Sequence, residues 1–397
     1  MNRIRLSRSV TLPDRLKLAR YLKAPELGPK ILFFSGGTAL NTLSRNLVDY
    51  THNSIHVVTP FDSGGSSAKL RQAFDMLAVG DLRSRLMALA DQTVKGNPAI
   101  FRLFSHRLPK DKDRNFLEPE LESMARGRHA LVSDIPDPMR KIIRNHLTHF
   151  IKKMPDDFEL QEASIGNLIL AAGYFINDRH IDPVIFIFSR LVEVRGTVRP
   201  VMNRLLHLIA RLQDGSLVQG QHMLTGKETS PISSPVQDIF LSSSLDSPEP
   251  YRARIRDKMR NLINEAELIC YPMGSFYSSI IANILPLGVG SAIAENLCPK
   301  IYIPNTGNDP EQFGTSLAQR VEILVDQLSR SCFQPCPDSA LLDLVLIDKD
   351  HSLYQGGVDI KRIESLGIKV LEARLALEKD KPRLDCTLLV ETLLSMV

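Results

Sequence analysis

Two runs of continuous apolar and β-branched residues near the start of the chain each end in a cluster of small residues. Each cluster is followed by apolar positions at helical spacing. Ile31–Ser35 (ILFFS) leads into Gly36-Gly37-Thr38-Ala39, after which Leu40, Leu43 and Leu47 recur with a helical period. Residues 55–61 (IHVVTPF) lead into Asp62-Ser63-Gly64-Gly65-Ser66-Ser67, and Leu70, Phe74 and Leu77 follow in the same way. Runs that are apolar on both faces read as buried strands of a parallel sheet. Strand–loop–helix repeated twice is the opening of a doubly wound α/β fold, which binds ligands at the carboxyl ends of its strands. Both glycine-rich loops fall at such ends.

Small residues let backbone N–H groups come close to ligand oxygens, and a helix start behind the loop favours negative charge. The expectation is therefore a pocket for a phosphorylated ligand. The first loop lacks the G-x-G-x-x-G spacing of a dinucleotide fingerprint and has no phosphate-binding lysine after it, so it is neither a nicotinamide-type site nor a P-loop. Gly36, Gly37 and Thr38 can still hold phosphate through N–H groups and the Thr38 hydroxyl; a tight turn without ligand is the bland alternative. In the second loop, Gly64 and Gly65 permit close approach, Ser66 and Ser67 add hydroxyls, and Lys69 and Arg71 add positive charge one helical turn on. Asp62 suits a divalent cation carrying a phosphate, a ribose hydroxyl, or a plain helix N-cap. Gly80-Asp81-Leu82-Arg83 again sets a carboxylate and a guanidinium at a helix start, and Gly274-Ser275-Phe276-Tyr277-Ser278-Ser279 is a later strand-to-helix loop with hydroxyls and aromatics.

Other classes of chemistry are poorly served. Ser275 lies in M-G-S-F-Y and lacks the second glycine of a nucleophile elbow. His52 and His56, and His146 and His149, read as incidental pairs without an acidic third ligand. The five cysteines are odd in number, and Cys332 and Cys336 have no second Cys/His pair nearby, which argues for free thiols in a reducing compartment rather than a zinc site. A net charge of +4, from 49 basic and 45 acidic residues with no basic block, argues against nucleic acid. The first thirty residues carry Arg3, Arg5, Arg8, Arg15 and Arg20 without a signal-peptide stretch and read as an extension packing on the domain. The apolar segment 279–294 is interrupted by Asn283, Pro286, Gly288 and Gly290 and is too short to span a bilayer, so no membrane role and a cytoplasmic location are expected.

After residue 30 the pattern suggests one α/β domain over 31–397. A charged helical insertion is expected at 97–158, including a helix over 138–154, as a lid or an oligomer contact; a homodimer is one expectation. A helix is predicted over 168–176, strands over 192–201 and 217–224, and a helix over 203–212 between them. Residues 226–250 are Ser-, Thr- and Pro-rich and read as a surface loop. The α/β pattern resumes with a helix from 252, strands at Leu268–Tyr271, 300–304, 345–347 and 369–371, a helix over 278–285, and a closing helix at 388–396.

Taken together, these loops resemble the superfamily of 2-phospho-L-lactate transferases (CofD-like) and gluconeogenesis factors (YvcK-like). Its members carry, in order, GGTG, a DDGGSSG-like loop, a GD(I/L)R element, a Gly-Asn before a helix and a late PGS-x-Y-(T/S)-S loop. The matching residues are Gly36-Gly37-Thr38-Ala39, Asp62 to Ala68, Gly80 to Arg83, Gly166-Asn167, and Met273 to Ser279. Gly196-Thr197-Val198-Arg199-Pro200 and the segment from Asp214 to Gly220 are similar to further family motifs, and Arg383-Leu384-Asp385 to an RHD element. The resemblance implies a Rossmann-like three-layer sandwich with a mostly parallel sheet. It also implies that the first loops, with Asn167, the Gly274–Ser278 region and Arg383, surround a nucleotide-linked small molecule. Transferase members move a phospholactyl group from a guanosine-diphosphate carrier to a deazaflavin with Mg²⁺; gluconeogenesis-factor members bind a uridine-diphosphate sugar. The resulting expectation is a transferase in which Asp62 and Asp81 organise Mg²⁺, with Asp62 as the metal ligand, and Arg71 or Arg83 neutralises charge. The alternative is a non-catalytic nucleotide-sugar-binding regulator. Ala39, Ser63, Ala68, Met273 and Leu384 depart from the family pattern, and Ser63 removes one of its paired aspartates.

Overall fold

The computed structural model describes residues 9–93, 96–226, 230–376 and 383–397; Arg3, Arg5 and Arg8 of the N-terminal extension and residues 227–229 of the Ser/Pro-rich segment lie outside them. The apolar runs form the strands expected of them. They are β1 (Ile31–Ser35), β2 (Ile55–Val58) and β3 (Thr197–Pro200), and, after three strands described below, β7 (Leu268–Tyr271), β8 (Lys300–Tyr302), β9 (Leu344–Asp348) and β10 (Lys369–Ala373). All seven pair in parallel in the order β10-β9-β8-β7-β1-β2-β3. Every residue of β1, β2 and β7 is buried, which is why their sequences do not alternate.

Alternate residues of the sheet feed separate cores. Ile31, Phe33, Leu268 and Cys270 pack with Leu18, Leu43, Leu47 and the helix Cys386–Met396. Leu32, Phe34, Ile269 and Tyr271 pack with Met259, Ile263 and the helix Leu317–Arg330 on the opposite face. Helices on both faces of a parallel sheet make this a Rossmann-like α/β sandwich. The helix Arg15–Lys23 lies on the last helix, where Asp14 N donates to Ser395 Oγ at 2.8 Å and Arg15 pairs with Glu391 at 2.9 Å.

The insertion is helical: Pro98–Ser105, Arg114–Ala125, Ala130–Ser133 and Met139–Lys153 bury Leu103, Leu121, Ile143 and Phe150 against the helix Ile165–Ile176 and Val58 and Val198 of the sheet. His146 turns into this cluster with its Nδ1 bonded to Ile142 O at 2.8 Å, and His56 stacks on Phe33 with ring centroids 5.2 Å apart. The five cysteines are free. No helix among the described residues is long and apolar enough to cross a membrane.

Residues 203–242 correct the sequence reading. The helix expected over 203–212 is instead strand β4 (His207–Leu212), and the strand expected over 217–224 is β5 (Leu217–Gln219) followed by the short helix Gln221–Thr225. The Ser/Pro-rich stretch contains a third strand, β6 (Val236–Ser242). Together they form an antiparallel sheet ordered β5-β4-β6. Asp214-Gly215 closes the β4–β5 hairpin with Gly215 at φ +87, a turn that suits an Asp-Gly pair. Leu208, Ala210 and Leu212 of β4 then face the core together with Ile239 and Leu241 of β6. Of the strand expected over 192–201 only Thr197–Pro200 joins the sheet; the helix Ile181–Leu191 ends at Val192, and Val194 makes an isolated bridge to Ala90.

Candidate functional site

From β1 the chain winds towards β2 and β3, and from β7 it winds the other way towards β8, β9 and β10, so β1 and β7 flank a topological switch point. The crevice outside the carboxyl ends of such strands is where open α/β sheets bind ligands. Two adjoining cavities lie there. The larger, about 290 Å³, is lined by Gly37, Thr38, Asp62, Gly64, Gly65, Ser66, Ser67, Gly80, Asp81, Arg83, Asn167 and, from unexpected places, Ser84, Arg107, Gln221, His222 and Thr225. The smaller, about 130 Å³, joins Gly36, Gly37 and Thr38 to Gly274 and Ser275 and shares Gln221 and Thr225 with the first.

The first loop is shaped from below by Arg85, which the sequence reading did not single out. Its fully buried guanidinium donates to Gly36 O (3.1 Å), Gly37 O (3.2 Å) and Ser44 Oγ (2.7 Å). Burial draws Arg85 down to about 10, with Asp81 acting the other way, so it is charged at neutral pH. A trans peptide points its N–H opposite to its C=O. With both carbonyls turned down to Arg85, the N–H groups of Gly37 and Thr38 are turned up. Gly36 also sits against the helix of the fifth loop: a Cβ added to it would lie 2.3 Å from Ser279 Oγ and 2.8 Å from Ser279 Cβ. Gly36→Ala is expected to lose about 1–3 kcal/mol in urea denaturation, and Ser279→Gly in the same chain to restore most of it. An unchanged midpoint in the single variant would refute this close packing.

Two helix starts complete the anion-binding surface. Gly65–Phe74 begins at the Gly64 cap with no side-chain cap and no acidic residue in its first turn, and Gly80–Ala88 begins behind Val79, also without a side-chain cap. Asp62 folds its own loop by accepting from Gly64 N at 3.1 Å, and Asp81 accepts from Thr59 Oγ1 at 2.9 Å. Ser66 Oγ receives Ser164 N and Asn167 Nδ2, both at 3.3 Å, while buried Asn167 Oδ1 has no partner. Arg83 donates to Phe104 O at 3.2 Å, and its buried Nε has no partner; burial draws it down to about 10, with Arg107 adding to the effect.

Several expected contacts face elsewhere. Arg71 is buried and donates to Pro60 O (3.1 Å) and Leu206 O (2.9 Å), so it fastens the second loop to the chain leading into β4 instead of meeting a ligand. Lys69 binds Gln161 O at 2.9 Å and Glu159 at 3.0 Å, tying the loop's helix to the end of the insertion. Tyr277 and Ser278 are buried in a π-helix, Phe276–Ile281, that replaces the expected start of a regular helix at 278; their backbone N–H groups donate to Glu311 Oε2 at 2.7 and 2.8 Å. Arg383 is exposed and lines neither cavity. Ser63, in place of a second aspartate, bonds His222 Nδ1 at 2.7 Å.

Asp62 and Asp81 are the carboxylates on the larger cavity, and among the described residues no group of three or more His, Cys, Asp or Glu gathers to hold a metal. This donor set fits a hard cation that arrives on a phosphate and keeps several waters, as Mg²⁺ does, and does not fit a zinc cage.

Comparison with known proteins bears on the same loops. The family model for "2-phospho-L-lactate transferase CofD" matches residues 31–376. The chain is similar to the gluconeogenesis factor of Listeria monocytogenes, 25% identical over 354 residues covering 87% of this chain and 88% of that protein. It is 25% identical to the gluconeogenesis factor of Bacillus subtilis over 367 residues, covering 89% and 92% of the two chains. The crystal structure of a UPF0052-family protein from Bacillus halodurans superposes with a TM-score of 0.66 at 23% identity, covering 92% of this chain and 99% of that one; this likeness concerns the fold.

Proposed function

The chain belongs to the 2-phospho-L-lactate transferase CofD family, and from that premise we propose that it binds a nucleotide-diphosphate-linked small molecule at the switch-point crevice and transfers a phosphate-linked group from it. One observation carries the reading. The upturned N–H groups after β1 and two helix starts without side-chain caps converge on a single cavity that also holds Arg83 and Arg107. Such an array binds the oxygens of a diphosphate. The diphosphate lies over Gly37, Thr38, Gly65, Ser66 and Ser67, and the nucleoside extends towards Gly274 and Ser275 in the smaller cavity. Arg83 and Arg107 neutralise charge that develops on the leaving diphosphate. Transfer of this kind depends mainly on positioning and charge stabilisation, so no protein nucleophile is required. A Mg²⁺ carried by the diphosphate would add to that charge stabilisation, held by Asp62 and Asp81.

A second reading, a nucleotide-sugar-binding regulator without catalysis, is favoured by Ser63. Its hydroxyl is committed to His222 where a second carboxylate would strengthen a cation site. Titration calorimetry with GDP, UDP and UDP-N-acetylglucosamine, with and without Mg²⁺, separates the two. Mg²⁺-dependent GDP binding supports transfer and Mg²⁺-independent UDP-sugar binding supports the regulator; failure of all three to bind removes both. Under the transfer reading, Asp62→Asn weakens Mg²⁺-dependent binding by about tenfold or more, equivalent to about 1.4 kcal/mol. Unaltered affinity and cation dependence would leave Asp62 as a turn former only.

A further inference from the structure

A concentration of positive charge lies outside the crevice. A cavity of about 360 Å³ opens beside the end of β3, lined by residues 180–182, 199–204 and parts of 251–262, and it shares no lining residue with either cavity of the candidate nucleotide site. Six cationic side chains line it: Arg199, Arg204, Arg252, Arg254, Arg256 and Lys258. Asp182 is its single carboxylate. Asp182 binds Lys258 at 2.7 Å and lies 3.8 Å from Arg199. Among the described residues no carboxylate lies within 4.0 Å of the other four arginines.

Local structure explains why the charges gather. Ala253 N bonds Tyr251 O at 3.0 Å, a tight turn around Arg252; Ala253 O and Ile255 N then bond Leu287, and Arg256, at φ -93 and ψ 163, caps the helix Asp257–Asn264. The turn leaves Arg252 and Arg254 exposed on either side of buried Ala253, and Arg256 follows at the helix cap; all three line the cavity, with the Arg254 guanidinium 5.7 Å from the Phe333 ring centroid. Arg204 lies over the Tyr251 ring, its guanidinium carbon 4.8 Å from the centroid, which places a guanidinium at the cavity wall without consuming its donors. Arg199 enters from β3 with Nε and Nη1 buried and without a hydrogen-bond partner. Like charges brought together at the rim of a concavity raise its potential, and unpaired buried guanidinium donors carry a cost that an anion relieves.

We propose that this cavity is a second ligand site, for a small polyanion carrying at least two phosphate or carboxylate groups. Its volume lies within the range of small-molecule sites, and a concavity differs from the flat or striped basic surfaces that follow a nucleic-acid backbone. Planar guanidinium forks match phosphate and carboxylate oxygens pairwise, and five of the six cations are arginines. The inference does not depend on the proposed function of the crevice.

Inorganic tripolyphosphate is a suitable probe, titrated calorimetrically into the full chain at an ionic strength of about 0.15 M to suppress diffuse attraction. The expected result is saturable binding that weakens at least about tenfold in the double variant Arg252→Ala/Arg254→Ala. A matched control, Arg20→Ala/Arg45→Ala, removes the same charge from exposed positions elsewhere and should leave the affinity as it was. No saturable binding to the parent chain overturns the proposal. Equal weakening in both double variants overturns it by showing only net charge at work, and no weakening in either overturns it by placing the probe in the crevice. Both variants alter exposed side chains, so thermal melts should match the parent's and exclude misfolding as the cause.

Discussion

Replacing Arg85 by methionine should cost about 3–5 kcal/mol of stability and abolish nucleotide binding. The side chain is fully buried, and its donors satisfy two consecutive loop carbonyls and the Ser44 hydroxyl. Methionine fills a similar length but leaves those three acceptors buried without donors, and each stranded group costs about 1–3 kcal/mol. Ser44 suffers least, because its hydroxyl still donates to Leu40 O at 2.8 Å. The peptides at Gly36 and Gly37 then have no reason to hold their carbonyls inward, so the upturned N–H array after β1 disperses.

Arg85→Lys separates charge from geometry. A lysine ammonium keeps the cation opposite Asp81 but cannot span Ser44 Oγ and both carbonyls as a planar fork does. Its loss should be intermediate, about 1–3 kcal/mol, with binding weakened and not abolished. Urea denaturation and GDP or UDP-sugar titration on both variants test this. A methionine variant within about 0.5 kcal/mol of the parent, with parent-like affinity, would show that Arg85 does not shape the loop.

The parallel sheet was legible because strands buried on both faces write uninterrupted apolar runs; β1 and β7 coincide with Ile31–Ser35 and Leu268–Tyr271 as read from the sequence. The antiparallel sheet was not. HLIARL in β4 suits a helix face as well as a strand, and what decides is pairing with β6, which begins only at Val236. The Asp214-Gly215 turn was the one local signal, and read as a hairpin it would have overruled the helix. The site shows the same division. Loops that need small residues announce themselves, so the composition of the crevice wall was largely readable. The direction of each charged side chain was not. Arg83 and Arg85 stand two residues apart on one helix, roughly 200° around its axis, so one faces the cavity and insertion while the other reaches under the first loop. Lys69 and Arg71 are drawn off by Gln161 and Leu206, far along the chain.

Glu311 has the same long-range character and the second large expected effect. It is 1% exposed and accepts the backbone N–H groups of Tyr277 and Ser278 and the Ser278 hydroxyl. Asp309 accepts Phe276 N at 3.3 Å beside it. Two carboxylates thus cap the π-helix that follows Gly274 and Ser275, and its start is closed to a ligand's phosphates. Glu311→Ala strips three hydrogen bonds from buried donors, an expected loss of about 2–5 kcal/mol, and releases Gly274 and Ser275 from their place on the smaller cavity. Burial and the neighbouring Asp309 charge push Glu311 up from 4.5 to about 7, outweighing its three donors, and burial also raises Asp309. The folded chain therefore retains a proton that the unfolded chain has released, so stability falls as pH rises from about 4.5 through about 7. Glu311→Gln removes the titrating group while keeping an acceptor for the helix start, and should flatten that part of the profile. Urea midpoints measured from pH 4.5 to 8 decide between the cases, the lower limit being the ordinary glutamate value. A parent profile that is flat or rises across this window, or a Glu311→Gln profile with the parent's slope, would show that Glu311 retains no proton there and acts as a simple ionised cap.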